Sequence, residues 1–268
     1  PILNIGIPEL LLERGYKVIT LSHLPGHALD IADEYENLYY PFGQHILSGA
    51  KLIAHHPNLY AVYLTNHGCG PDTMLSHLFK QEMGDKPYLQ IEVDEHFSNV
   101  GVITRIEAFL NSLNHRPVEV LPKDFVLEQV EIHPCHLPAV PEKDFPLWLP
   151  PLGEYTASLT GYFRAQGVDA HALPHLSAHA LSLGRAETGA KEYLPFPALL
   201  GGILAQQEAD PAPAQFLIPQ TQGAEADGQY ARVIRAVLDR RGNKRAKLVS
   251  PMLETLPATA QDRDALFR

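Results

Sequence analysis

Eight prolines, at 117, 122, 134, 138, 141, 146, 150 and 151, interrupt the middle of this chain. Each lacks a donor N–H and has a fixed φ, so a long helix or a regular central strand cannot run through them. The stretch therefore reads as a partly extended connector, residues 115–151, between a first lobe at 1–114 and a second at 152–268. At 268 residues the chain is long enough for two domains of ordinary size, and its 45% hydrophobic content can fill a core in each.

Both lobes alternate β-rich apolar runs with helical patterns. In the first, Lys17–Ser22, Leu59–Asn66 and Pro87–Val93 read as strands, rich in β-branched and aromatic residues. Phe42–His56 repeats apolar residues at the spacing of one helix face (Ile46, Leu47, Ala50, Ile53), and Pro71–Met83 and Val100–Leu113 are two further helices. In the second, Pro146–Leu149, Val168–Leu173, Gln215–Pro219 and Ala246–Ser250 read as strands. Gly153–Gln166, a long helix within Thr188–Gln207, and Gly228–Arg241 are the helices between them. Alternation of this kind predicts an α/β fold of two Rossmann-like, doubly wound lobes with parallel sheets.

Charge and cysteine usage narrow the function classes. Twenty-one basic against 31 acidic residues give a net charge of -10, which argues against nucleic acid or an anionic membrane as a partner. No apolar run approaches the ~20 residues of a spanning helix, and no signal peptide is evident. Two cysteines far apart, Cys69 and Cys135, make no disulfide framework and fit a reducing, cytoplasmic compartment. Pro1 rather than Met stands first, which predicts a piece of a longer chain.

The most pointed segment is Thr65-Asn66-His67-Gly68-Cys69-Gly70-Pro71-Asp72. It places Cys69 between two glycines, just ahead of a helix N-terminus, where free N–H groups and the helix dipole favour a thiolate. Such a turn suits a metal cluster, a nucleophile or a phosphate, and equally a buried cysteine in a tight turn. On the same reasoning Cys69 should be alkylated faster than Cys135. Glu95 and His96, after the Pro87–Val93 strand, can do acid–base work or cap the next helix. Lys191 and Glu192 open the long helix of the second lobe, either as part of a site or as a surface pair. The polar loop Pro219–Tyr230 leaves a strand and opens a helix, the usual topology of a ligand loop in α/β proteins.

His171, His175 and His179 recur every four residues, but Pro174 breaks the helix that would align them. His133-Pro134-Cys135-His136 lacks a second ligand pair at zinc-site spacing. There is no GxxxxGK phosphate loop, no GxGxxG and no serine nucleophile elbow.

Ordered blocks, Tyr40–Gln44, Leu59–Asp72, Gly84–Leu89 with Glu92–His96, and Gly101–Phe109, together resemble the 2-hydroxyacyl-CoA dehydratase activase-related proteins. These are large bacterial proteins related to dehydratase and benzoyl-CoA reductase subunits. The resemblance covers most of the chain and is strongest over Tyr39–Leu113. It implies Rossmann-like lobes with an iron–sulfur cluster between them, and acyl-CoA-type substrates. It also implies low-potential electron transfer from an ATP-hydrolysing activase region in the same or another chain. Cys69 matches the first expected cluster cysteine. Tyr193 stands at the second and Glu225 at the third, while Gly228, Gln229 and Tyr230 keep the family pattern. The site candidates are thus Cys69, Asn66, His67, Glu95 and His96 in the first lobe, and Glu192, Tyr193, Glu225, Gln229 and Tyr230 in the second. The alternative is a cysteine-depleted, non-catalytic binding or interaction module of the same fold.

Overall fold

The computed structural model describes residues 4, 6–66, 70–94, 98–221, 223 and 225–252. The fold is α/β with parallel sheets, and the chain forms two compact units. One comprises Pro1–Asp33 with Tyr40–His133, the other Glu34–Tyr39 with Pro134–Arg268. The proline-rich stretch 115–151 is divided between them.

In the first unit, β1 (Val62–Thr65) and β2 (Leu89–Glu92) pair in parallel, with Val62 opposite Leu89 and Thr65 opposite Glu92. A parallel pair needs a crossover, and α3 (Asp72–Met83) supplies it. The unit also holds α1 (Ile7–Glu13), α2 (Pro41–His55) and α4 (Asn99–Leu113). On α4 the buried residues Val102, Ile106, Leu110 and Leu113 lie three and four apart, one stripe of the helix. Ile106 and Leu110 pack with Ile7, Leu11 and Ile91 in the core.

One expected strand is corrected here. Lys17–Ser22 enters no ladder: residues 16–20 are irregular and Leu21–His23 form a 3-10 turn. Thr20 and His23 close that turn through Oγ1 and Nδ1 at 2.8 Å. Of the β-branched residues of this run, Val18 packs against the core, while Ile19 is exposed.

The second unit has a four-stranded, all-parallel sheet. Its strands are β3 (Leu147–Leu149), β4 (Ala170–Ala172), β5 (Ala214–Leu217) and β6 (Ala246–Val249), in the order β4-β3-β5-β6. β3 is an interior strand three residues long that fits between Pro146 and Pro150. All four residues of β5 are buried, as a strand with neighbours on both sides and covered faces should be. Its one polar residue, Gln215, is fully engaged. Its amide accepts from the N–H of Glu142 at 2.8 Å and donates to the carbonyls of Glu142 and Phe145 at 2.8 and 3.0 Å.

Helix α5 (Glu154–Ala165) connects β3 to β4, and α8 (Tyr230–Arg240) connects β5 to β6. Between β4 and β5 the chain forms two helices, α6 (Ala178–Ala186) and α7 (Pro195–Ala209). α6 was not expected. Ser177 caps it, its Oγ accepting from the N–H of Ala180 at 3.1 Å. The two helices meet backbone to backbone: a Cβ on Gly184 would overlap the carbonyl of Pro197, and one on Gly201 the carbonyl of Ala180.

That contact yields a stability test. Gly184→Ala and Gly201→Ala should each lose about 1–3 kcal/mol in urea unfolding, the usual range for overpacking. Gly202→Ala, where the new Cβ meets nothing nearer than Leu173 Cδ1 at 3.8 Å, should be neutral or gain up to about 1 kcal/mol from helix propensity. Equal behaviour of all three would show that the helices do not approach this closely.

Candidate functional site

The strand order β4-β3-β5-β6 reverses direction in sequence between β3 and β5. In open parallel sheets ligands bind outside the carboxyl ends of the strands at such a reversal. Two segments leave the sheet there: Pro150–Gly153 after β3, and Ile218–Gln229 after β5.

Both segments are held by side chains. Thr156 ties the first, its Oγ1 accepting from the N–H of Leu152 at 2.6 Å and donating to the carbonyl of Pro150 at 3.2 Å. In the second, the N–H of Gln220 donates to the carbonyl of Pro251 at 2.9 Å, which extends the β5–β6 pairing. The Gln220 amide also donates to Ser250 Oγ, and that hydroxyl donates to the carbonyl of Ile218 at 2.7 Å. Asn37, from the Glu34–Tyr39 segment, donates to Gln220 Oε1 at 2.6 Å. Thr221 Oγ1 donates to Asp227 Oδ1 at 2.9 Å. Gly228 lets the loop close, since a Cβ there would sit 2.9 Å from the carbonyl of Thr221.

Tyr193, Glu225 and Tyr230 come together at this edge. Tyr230 opens α8 with its ring centroid 5.0 Å from that of Phe196. Burial first, then the charges of Asp227, Tyr193 and Glu225, push its phenol up to about 12. It is therefore a neutral hydroxyl at physiological pH. Glu192 lies in the preceding loop and folds onto it: its carboxylate accepts from the N–H of Gly189 at 3.0 Å and of Lys191 at 3.1 Å.

A second cluster lies beside the same loop. Glu34, Glu36, Asn37, Cys135, Leu137, Gln220, Gly228, Gln229 and Arg232 line a small recess of about 20 Å3. Arg232 donates to Glu34 Oε1 at 3.1 Å, with the two side chains only 13% and 2% exposed. Its guanidinium stands 4.2 Å from the Tyr35 ring centroid. Burial alone would lower the Arg232 pKa, but Tyr35, Cys135 and Glu34 outweigh it and the net shift is upward. At the rim, His136 Nδ1 meets Glu36 Oε1 at 2.6 Å.

In the first unit, Asp72 at the start of α3 is tied to the end of β1. Its Oδ2 accepts from Thr65 Oγ1 at 2.8 Å and from the N–H of Asn66 at 2.9 Å. His67 and Cys69, like Glu95 and His96, lie outside the described residues. Of the spaced histidines, His171 is on β4 and pairs with Asp169 at 2.9 Å, while His179 is on α6 and pairs with Glu208 at 2.8 Å. Among the described residues, no group of three His, Cys, Asp or Glu side chains is placed to hold a metal.

Of the residues expected at a site, Tyr193, Glu225, Gln229 and Tyr230 thus share the loop edge after β5. Sequence reasoning missed Glu34, Asn37 and Arg232. Arg232 follows Gln229 by three residues, one helical turn, which is the one signal that could have found it.

Ionisation of Tyr230 tests this geometry. Its folded pKa lies above the unfolded value near 10, so its contribution to stability is full below about pH 10 and is lost as pH rises through about 12. Ultraviolet titration of the native protein minus that of Tyr230→Phe should show one phenol ionising near pH 12. Glu225→Gln should move it part of the way toward 10. An ordinary phenol titration for Tyr230 would contradict the burial and the surrounding charges.

No family model, curated protein or solved structure matches this chain.

Proposed function

We propose that the chain is a binding module on a dehydratase-like α/β scaffold, and that its second unit works without an iron–sulfur cluster. One observation carries this reading. Tyr193 and Glu225, which stand where the resemblance calls for thiolates, both act electrostatically on the neutral Tyr230 phenol, after burial and Asp227. Cluster iron is held by soft thiolates, and a phenol and a carboxylate are hard oxygen donors. The residues present do not fit a four-iron cluster.

The rest of the edge suits binding. The loop after β5 is held by Gln220, Ser250, Asn37 and the Thr221–Asp227 pair, so little would need ordering when a ligand arrives. The ligand class proposed is an acyl-CoA-type molecule, and the partner an ATP-hydrolysing activase region, both from the sequence resemblance. In the competing reading the same scaffold is an electron-fed dehydratase or reductase, and that reading needs the cluster.

Anaerobic reconstitution with iron and sulfide distinguishes the two. The native chain should take up well under four irons and lack visible cluster absorption, and Tyr193→Cys with Glu225→Cys should raise incorporation. Four irons per native chain would overturn the cluster-free reading. Calorimetric titration with a coenzyme A thioester checks the ligand class separately, and absence of heat at millimolar thioester would remove it.

A further inference from the structure

Helix α2 ends at His56, which is extended and precedes Pro57. A side chain closes the turn that follows: the N–H of Asn58 donates to His56 Nδ1 at 3.1 Å. Asn58 in turn holds part of the proline-rich connector. Its amide nitrogen donates to the carbonyl of Glu119 at 2.9 Å, and its Oδ1 accepts from the N–H of Glu119 at 2.8 Å. Further along, Phe125 sits against both histidines at the end of α2. Its ring centroid is 5.2 Å from that of His55, nearly parallel, and 5.3 Å from that of His56, edge-on. Residues 116–121 enter no helix or strand, and Val118 and Val120 are 84% and 96% exposed, so burial does little to hold this run.

The acceptor at His56 depends on charge. Nδ1 accepts only while it carries no proton. In an imidazolium both ring nitrogens are donors, and Nδ1–H would point at the N–H of Asn58. A helix C-terminus ordinarily favours a cation. Here Lys86 already takes that place, its Nζ donating to the carbonyl of Ile53 at 2.6 Å and to that of His56. Burial first, then Lys86, push the His56 pKa down; His55 adds to this, and a backbone hydrogen bond opposes it. Lys86 is itself lowered by burial, with Glu119 opposing and Arg116 adding, but only to about 8, so it is charged wherever His56 titrates.

We propose that the connector run 116–121 is a strap, latched to the end of α2 at neutral pH and released in mild acid, with His56 as the latch. Protonation of Nδ1 breaks the Asn58 turn, and Asn58 carries both hydrogen bonds to Glu119. His55 keeps its place on Phe125 when charged, since a cation over a ring face is attractive. Release therefore starts at the Glu119 end, and Phe125 stays as the hinge. The folded pKa of His56 lies below the unfolded value near 6.5, so the latch contributes fully above about pH 6.5 and is lost as pH falls below it. The state of His56 thereby sets how much of the connector is tied to the first unit. This inference is independent of whether the second unit binds an acyl-CoA or a cluster.

Hydrogen–deuterium exchange of the full chain, corrected for the intrinsic effect of pH, reads the latch directly. Protection of the Asn58 and Glu119 amides should fall between about pH 7.5 and about pH 5.5, with about tenfold the ceiling for one imidazole whose unfolded pKa is near 6.5. The buried helix α4 should keep its protection over the same range. His56→Asn sets an amide oxygen where Nδ1 stands and does not titrate, so both amides should stay protected at both pH values. Asn58→Ala should leave the Glu119 amide unprotected at both. Should His56→Asn not fold, proton NMR titration of the native histidines decides: His56 titrating below 6.5, in step with the loss of protection at Glu119, supports the latch, and His56 titrating at or above 6.5 overturns it. Equal protection of the native strap at both pH values, or the same acid loss in His56→Asn, would overturn it as well.

Discussion

Parallel pairing of β5 with β3 on one side and β6 on the other is the constraint on which the second unit depends. Parallel neighbours cannot be joined by tight turns, so each link must cross back as a helix. Because all strands point the same way, every strand's outgoing loop leaves at one edge. The order β4-β3-β5-β6 then separates the loops after β3 and β5, and the polar residues of Ile218–Gln229 collect at that separation. Burial of all of β5 leaves Gln215 nowhere to find water. It resolves this by taking three backbone partners from residues 142–145, which pins that irregular segment to the sheet.

The Glu34–Arg232 pair imposes a second constraint. Removing two charges from water is expensive, and a lone one left in place would cost about 3–5 kcal/mol. The pair is made tolerable by its surroundings: the carboxylate takes one guanidinium nitrogen, and the Tyr35 ring lies against the cation. Residues 34–39 thereby belong with the second unit although the chain on either side belongs with the first. A six-residue excursion of this kind is fixed by a few specific contacts, of which Glu34–Arg232 and Asn37–Gln220 are two.

Much of the architecture was legible because it rests on local periodicity. The stripe Val102, Ile106, Leu110 on α4 and the apolar runs at β1, β2, β5 and β6 announce themselves in sequence. Lys17–Ser22 has the composition of a strand but no strand beside it, and pairing is a non-local property that composition does not carry. α6 escaped notice because Ala178–Ala186 is short, with Gly184 inside it and Pro174 just ahead. That glycine is an asset only once α7 is known to press against it. Gln229 and Tyr230 could be picked out from their loop, whereas Glu34 sits in the acidic stretch Asp30–Glu36 and reads as solvated surface.

The two polar clusters of the second unit differ in how they handle burial, and the difference bears on what each can do. Around Tyr230 the answer is protonation: the phenol stays neutral, and the nearby carboxylates Asp227 and Glu225 reinforce that state. A neutral hydroxyl can donate to an incoming oxygen and gives iron little reason to bind. Around Arg232 the charge is kept and paired, and the unmet capacity lies in two N–H groups instead. Both clusters therefore set donors beside carboxylates, with Asp227 accepting from Thr221 and Glu34 from Arg232. Of the two, the Tyr230 phenol opens the helix at the loop edge, and as a neutral hydroxyl it can donate to an oxygen acceptor brought there.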